Sequence, residues 1–351
     1  MKFAALALAL ASFAAQAAKD PAPKDPFPLG PKSLSYGVGL RVGGGYATSS
    51  PNDGLGMYTL DVRPYISGSI APWLSFTGNL DLNNGDSGRI HVLDAIAQFG
   101  PDELFHVWMG RFLPPSDRAN LSGPYYQNAW NYPGMVNGYP SIYAGRADGA
   151  AVWGQVNKGQ FKYQAGIFTI DPTPVLFSQA IYAARLVYNV LDPEPGYYNS
   201  STYYGAKDVL ALGGTIQYKK LTPDLAGERK LLGFNFDLLF ERHVMTDVLT
   251  LEGAYYNFDQ GTGGGKQGWS FFGLASWLFM TKVGPGRFQP MVRYQHGVPT
   301  GGGDATKTFD GGLNYILDGH NARAALVVQN IAPPGSASSQ TSFQFGIQIQ
   351  E

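Results

Sequence analysis

Leu74-Ser75-Phe76-Thr77-Gly78-Asn79-Leu80-Asp81-Leu82 alternates with a period of two. Leu74, Phe76, Leu80 and Leu82 fall on one face, and Ser75, Thr77, Asn79 and Asp81 on the other. That pattern marks a strand with one apolar and one polar side. Leu232 to Leu238 repeats it, as does Phe343 to Gln350 at the C-terminus. Such segments run to about ten residues, roughly twice a globular strand. Tilted in a sheet, about ten residues cross a bilayer.

Working outward from this stretch gives sixteen such strands, centred from Gly39 to Phe345. Short connections (Ala71-Pro72, Gly100 to Asp102, Asn157 to Gly159, Arg242-His243, Val283 to Gly286, Leu317 to His320) alternate with longer or Gly-rich ones. That asymmetry is what an outer-membrane barrel shows. A soluble sandwich also alternates, but it buries its apolar face in a core and rarely needs so many long strands. The expected fold is all-β: a transmembrane antiparallel β-barrel of about 16 strands, closed because an open edge in lipid leaves backbone groups unsatisfied. One connection breaks the rule. Leu191 to Asp208 belongs on the short side yet is long.

Composition agrees. Glycine supplies 46 of 351 residues, aromatics 14% and charged residues only 15%, with 44% hydrophobic and a mean hydropathy of −0.13. A chain poor in charge without being greasy excludes a bundle of membrane helices and a disordered chain. The net charge of −1 leaves no basic footprint for nucleic acid. With no cysteine, disulfides and thiolate metal sites are excluded. His91, His106, His243, His296 and His320 lack metal-site spacing, so neither a metal nor a cofactor is expected. Gly43-Gly44-Gly45 and Gly263-Gly264-Gly265-Lys266 fit no phosphate-cradle pattern and read as strand or loop glycines. An outer-membrane enzyme would need an activated Ser beside a His. Ser75 and His91 are the pair weighed, and no enzyme is expected.

Met1-Lys2-Phe3, the apolar run Ala4 to Ala14 and Ala15-Gln16-Ala17 read as a cleaved secretory signal over 1–17. Residues 18–32 are Pro-rich and read as a periplasmic lead-in, and 33–351 as the barrel.

If the apolar faces meet lipid, the alternate residues line a polar, water-filled lumen. By alternation Arg41, Arg63, Arg89, Lys162, Arg185, Arg293 and Arg323 point inward, among carboxylates such as Asp61, Asp81, Asp94, Asp237 and Asp310. The phase is ambiguous around Leu93, Val107, Val152 and Leu274, with a bulge expected at Leu93. The longest connection runs from Phe112 to Gly145, follows the fifth strand, and carries Tyr125, Tyr126, Trp130, Tyr132, Tyr139 and Tyr143. Aromatics in such number want packing partners, so this third long loop is expected to fold into the lumen. Its roots hold Arg111, Arg118 and Arg146 against Asp117 and Asp148, the candidates for a pore constriction. The small excess of arginine predicts a weak anion preference.

Met109-Gly110-Arg111-Phe112 with Pro114-Pro115, then Gly145-Arg146-Ala147-Asp148-Gly149 leading to Val152-Trp153-Gly154, resembles the phosphate-selective porin O and P family. So do Ala184 to Asn189, Gln289-Pro290 with Arg293-Tyr294-Gln295, and Leu313 to Ile316 followed by Asp318 to Arg323. The resemblance implies a Gram-negative outer-membrane channel, usually trimeric, with its third loop in the pore. It also implies anion preference. Two departures stop short of phosphate specificity: the third loop has no Lys-rich run, and the chain ends in Glu351 rather than an aromatic. The expected function is a porin for small polar or anionic solutes, sitting in outer-membrane lipid as a homotrimer. A substrate-selective channel and a non-channel barrel, enzyme or adhesin, are the alternatives.

Overall fold

The computed structural model describes residues 33–48, 53–83, 90–134, 144–170, 180–224, 227–259, 267–300, 305–335 and 338–351. The signal and lead-in expected over 1–32 lie outside the described residues, as do Arg89, Tyr139 and Tyr143.

Sixteen strands follow in chain order: β1 (Ser33–Thr48), β2 (Gly54–Ala71), β3 (Leu74–Asn83), β4 (Ile90–Asp102), β5 (Phe105–Phe112), β6 (Ala147–Val156), β7 (Phe161–Thr169), β8 (Ile181–Asn189), β9 (Val209–Asp224), β10 (Gly227–Val244), β11 (Asp247–Asp259), β12 (Gly268–Leu278), β13 (Arg287–Pro299), β14 (Thr306–Asp318), β15 (Ala322–Ala332) and β16 (Gln340–Gln350). Each pairs antiparallel with its sequence neighbours, and β1 pairs with β16 from Gly39↔Gln350 to Thr48↔Thr341, closing the ring. Closure leaves no unpaired edge, the condition for strands in hydrocarbon. All sixteen sequence centres fall inside strands.

Alternation sets the two faces. On β10, Phe236 is 62% exposed while Asn235 and Asp237 beside it are buried. On β16, Phe343, Phe345, Ile347 and Ile349 are exposed while Gln348 is buried. The apolar row faces out and the polar row faces into the ring. The bulge expected at Leu93 is present: Asn79 pairs with Asp94 and Leu80 with Val92, leaving Leu93 between them. Two connections sit further along than expected. Asp102 still pairs with Phe105, and Val244 with Asp247, so the turns are Glu103-Leu104 and Met245-Thr246.

The inner face is not uniformly polar, which corrects the lumen expected from alternation. Trp108 and Phe112 of β5, Trp153 of β6 and Phe168 of β7 turn inward and cluster with Leu113, Leu121 and Tyr197 from the connections. Tyr256 of β11 and Phe272 of β12 pack against Ala119. In these two places the strands are apolar on their inner side, against a packed connection. This sector also has the shortest strands: β5, β6, β7 and β8 have 8, 10, 9 and 9 residues, against 18 in β2 and β10.

Candidate functional site: two connections meeting inside the ring

The third long connection leaves β5 at Phe112 through Leu113-Pro114-Pro115. The two prolines fix φ and hold the chain extended. Asp117 then caps a single helical turn, Arg118–Ser122, accepting from the Asn120 backbone N–H at 3.3 Å and from the Tyr256 hydroxyl at 2.7 Å. The Asp117 carboxyl is pushed up to about 6: burial raises it, and the Tyr256 hydrogen bond only partly offsets that.

Arg118 is 1% exposed. Its guanidinium donates to both oxygens of Glu194 at 2.7 and 2.6 Å and to the Ser200 carbonyl at 2.7 Å. Its backbone N–H donates to Asp237 on β10, which also accepts two bonds from Arg185 of β8 at 2.5 and 2.8 Å. Two guanidiniums and two carboxylates thus compensate one another in a buried cluster. Beyond the helix, strand arginines hold the loop by its carbonyl oxygens. Arg323 donates to Gln127 O and Asn128 O, Arg293 to Asn131 O, and Arg41 to Trp130 O at 2.7 Å. Arg41 also lies 4.1 Å over the Trp130 ring. Trp130 rests on the β16 backbone at Gly346, where an added Cβ would stand 2.3 Å from the ring. Including Pro115 O to Gln217 and Asn128 to Ser276, these contacts run along β9 to β16 and β1, all on inner faces.

The second component is the anomalous connection between β8 and β9, which folds back toward the first. Tyr197 donates to Leu113 O, the Ser201 N–H to Tyr126 O at 3.0 Å, and the Ser201 hydroxyl to Glu252 of β11. Thr202, Tyr203 and Gly205 all bond Glu241 of β10. Burial alone would raise the Glu194 carboxyl, but the Arg118 guanidinium outweighs it and holds it down to about 2. The sequence flagged this segment by its length alone. Its partners lie tens of residues away.

Between the two connections and the inner wall of β1 to β4 lies a cavity of about 740 Å³. Arg63, Tyr65, Asn79 and Asp94 line it from the wall, Tyr125, Tyr126 and Arg146 from the third connection, and Tyr198, Tyr203 and Lys207 from the other.

Of the constriction candidates, Asp117 and Arg118 sit at the junction of the two connections, and Arg146 borders the cavity, 3.3 Å from Asp94. Arg111 and Asp148 are elsewhere. They pair across β5 and β6 at 2.6 Å, on the outward face that also presents Met109 and Val152. The reason is phase: Trp108 and Phe112 occupy the inner positions, so Arg111 between them turns out. Of the lumen candidates, Arg41, Lys162, Arg185, Arg293 and Arg323 are buried on the inner face and bonded to the connections or to neighbouring strands, Lys162 through Gly196 O. Arg63 pairs with Asp81 at 3.0 Å.

A closed 16-strand antiparallel ring whose inner face holds its own connections has the fold of outer-membrane porin structures. Neither a family model nor a curated protein sequence matches the chain. Among solved structures it is similar to Pseudomonas putida OprB, with a TM-score of 0.62, 10% identity, and 91% of this chain and 94% of that one covered. Salmonella typhi OmpF in complex with daunomycin gives a TM-score of 0.60 and 11% identity, over 91% of this chain and 97% of that one. A trimer form of Vibrio cholerae OmpT, described as an outer membrane protein, gives 0.57 and 10%, over 92% of this chain and the whole of that one. At such identities the likeness establishes the fold.

Proposed function

We propose that the protein is an outer-membrane porin, a passive route for small polar solutes and ions, exported by the signal at its N-terminus. The third connection and the β8–β9 connection together form its constriction. The observation that carries this reading is the closed ring with an apolar outer row and a cavity of about 740 Å³ left beside the two connections. The field inside is weak, because Arg118, Arg185, Arg293, Arg63 and Arg146 each face a carboxylate. Arg63, Arg146 and Lys207 line the cavity against Asp94 and the side-chain and terminal carboxylates of Glu351, a near balance that leaves at most a slight anion preference. The phosphate-selective O and P family is the proposed relationship, without its phosphate specificity. A homotrimer is the proposed assembly. An outward charge pair such as Arg111–Asp148 is costly against lipid, so a neighbouring protomer on β5 and β6 suits it better. No catalytic role is assigned: on β3, Ser75 and Asp81, the residue opposite His91, stand six positions apart.

Folded protein in a planar bilayer is expected to give stepwise channels, with a reversal potential in asymmetric KCl shifted slightly toward chloride. Folded protein that never conducts overturns the porin reading. A cation-selective reversal potential overturns only the sign of the preference.

A further inference from the structure

We propose that His320 is a proton-operated latch. Neutral, its ring clamps the third connection and the β8–β9 connection together at the short-turn end of the ring of strands; protonated, it lets them go. The consequence for flow rests on the channel reading, whereas the release itself does not.

Geometry argues first. His320 stands in the turn between β14 and β15, after Gly319, whose φ of 48° is left-handed. Its ring lies 4.8 Å from the Tyr126 ring of the third connection and 4.8 Å from the Tyr204 ring of the other. Nε2 is 3.0 Å from Thr202 O. A carbonyl only accepts, so Nε2 carries the hydrogen and Nδ1 of the neutral ring is bare. The His320 carbonyl accepts from Gln348 of β16 at 2.7 Å, which ties the turn to the wall. The turn therefore touches both connections beside the place where they meet, Ser201 N–H to Tyr126 O at 3.0 Å. Part of the clasp is strained. Tyr204 has a φ of 53°, a costly conformation for a bulky aromatic residue. Strain of this kind persists only while the surroundings hold it, and the His320 ring is part of that hold.

Charge decides what a proton does here. Arg323 of β15 faces the ring with the sign an imidazolium would carry. Tyr126, Tyr204 and Gln348 present neutral groups. Glu241 of β10 lies behind Thr202, accepting from the Thr202 hydroxyl and the Tyr203 and Gly205 N–H groups. Asp318, in the turn itself, accepts from Asn321. Nδ1 has no hydrogen-bond partner among the described residues. The Thr202 and Tyr125 carbonyls favour the charged ring, but Tyr125 O already accepts from Gln348 at 2.9 Å, and burial and Arg323 outweigh both. The imidazole is pushed down to about 4. The clamped form therefore loses ground as pH falls below the ordinary imidazole value of 6.5. The loss is complete below about 4, where the clamp is weakened about 300-fold.

Hydrogen exchange of the folded, detergent-solubilised protein at about pH 5.5 and 3.5, corrected for intrinsic rates, tests the latch. Protection over Tyr197 to Ala206 is expected to fall at the lower pH while the strands keep theirs. His320→Gln keeps a donor for Thr202 O and takes up no proton, and is expected to hold protection at both values. His320→Ala removes the clamp and is expected to exchange fast at both. In bilayers the wild-type current is expected to rise reversibly below about 4.5, and the His320→Gln current to stay level. Equal exchange of the wild type at both pH values, a wild-type response in His320→Gln, full protection in His320→Ala, or acid exchange spread through the strands each overturns the proposal. A protein whose exchange responds through His320 but which never conducts keeps the latch and loses the channel. One that conducts with exchange and current indifferent to pH keeps the channel and loses the latch.

Discussion

Arg118 is held by two carboxylates, and its loss is not a local matter. Removing one partner of a buried pair strands the other charge, at about 3–5 kcal/mol. Glu194→Gln is therefore expected to lower the temperature at which the unheated gel mobility converts to the heated one, whereas Arg111→Gln, on the outer face, is expected to lower it less. The same pair sets an acid limit. The Glu194 carboxyl is depressed to about 2, so its contribution is complete above its ordinary value near 4.5 and is lost as pH falls toward 2. Asp117 runs the other way. Its carboxyl is raised from 3.8 to about 6, so stability is lost as pH rises through that interval, and acidification from 7 to 5 returns only part of it. Single-channel recordings across pH are expected to show steady currents between about 4.5 and 6 and growing noise below 3. Glu194→Gln mimics the protonated side chain, so the noise should be present at every pH, and a variant that stays quiet above about 4.5 and turns noisy only in acid would remove Glu194 as the cause.

At the level of elements, the proposed channel gives the β8–β9 connection the part of an obstruction in its own right. Deleting Pro195 to Ser201 is expected to raise single-channel conductance about twofold, with β8 and β9 still paired. Deleting Asn120 to Asn137 is expected to raise it too. An unchanged conductance in the first variant would confine the constriction to the third connection. Strand number and position were legible in the sequence because the outward row is apolar all round the ring. Phase was legible only where the inner row is polar. In β5 to β7 large apolar residues also stand in the inner row, among Gln155, Lys162 and Gln164, since Trp108, Phe112, Trp153 and Phe168 pack on Leu113, Leu121 and Tyr197. In a sequence, an apolar residue that meets lipid looks the same as one that meets a loop. Alternation also assigns every charge to the inside, so it cannot foresee Arg111 and Asp148 satisfying each other outside. The arginines of the lumen were legible as positions but not as tasks: the donors to Gln127 O, Asn131 O and Trp130 O hold a loop.

For the whole molecule, the absence of cysteine makes inside and outside directly measurable, since one introduced thiol reports one position. Phe236→Cys and Leu326→Cys, outward and more than half exposed, are expected to react in membranes with lipid-soluble maleimides and not with charged ones. Ser67→Cys and Thr77→Cys, on the cavity wall, are expected to show the reverse. A uniform pattern at all four positions would dismantle the two-faced barrel. The joint between β1 and β16 has a further consequence, for the kinetics of folding. Thr48 and Thr341 exchange hydrogen bonds across 293 residues. Distant pairings of this kind are slow to find, because chain entropy must be surrendered before any contact repays it. Trp130 lies against both partners of that joint, bonded to Arg41 of β1 at a separation of 89 residues and seated on Gly346 of β16. It divides one long search into two shorter ones and holds the first strand where the last will arrive. The third connection is thus expected to serve as a splint for assembly, besides its proposed part as a restriction on flow.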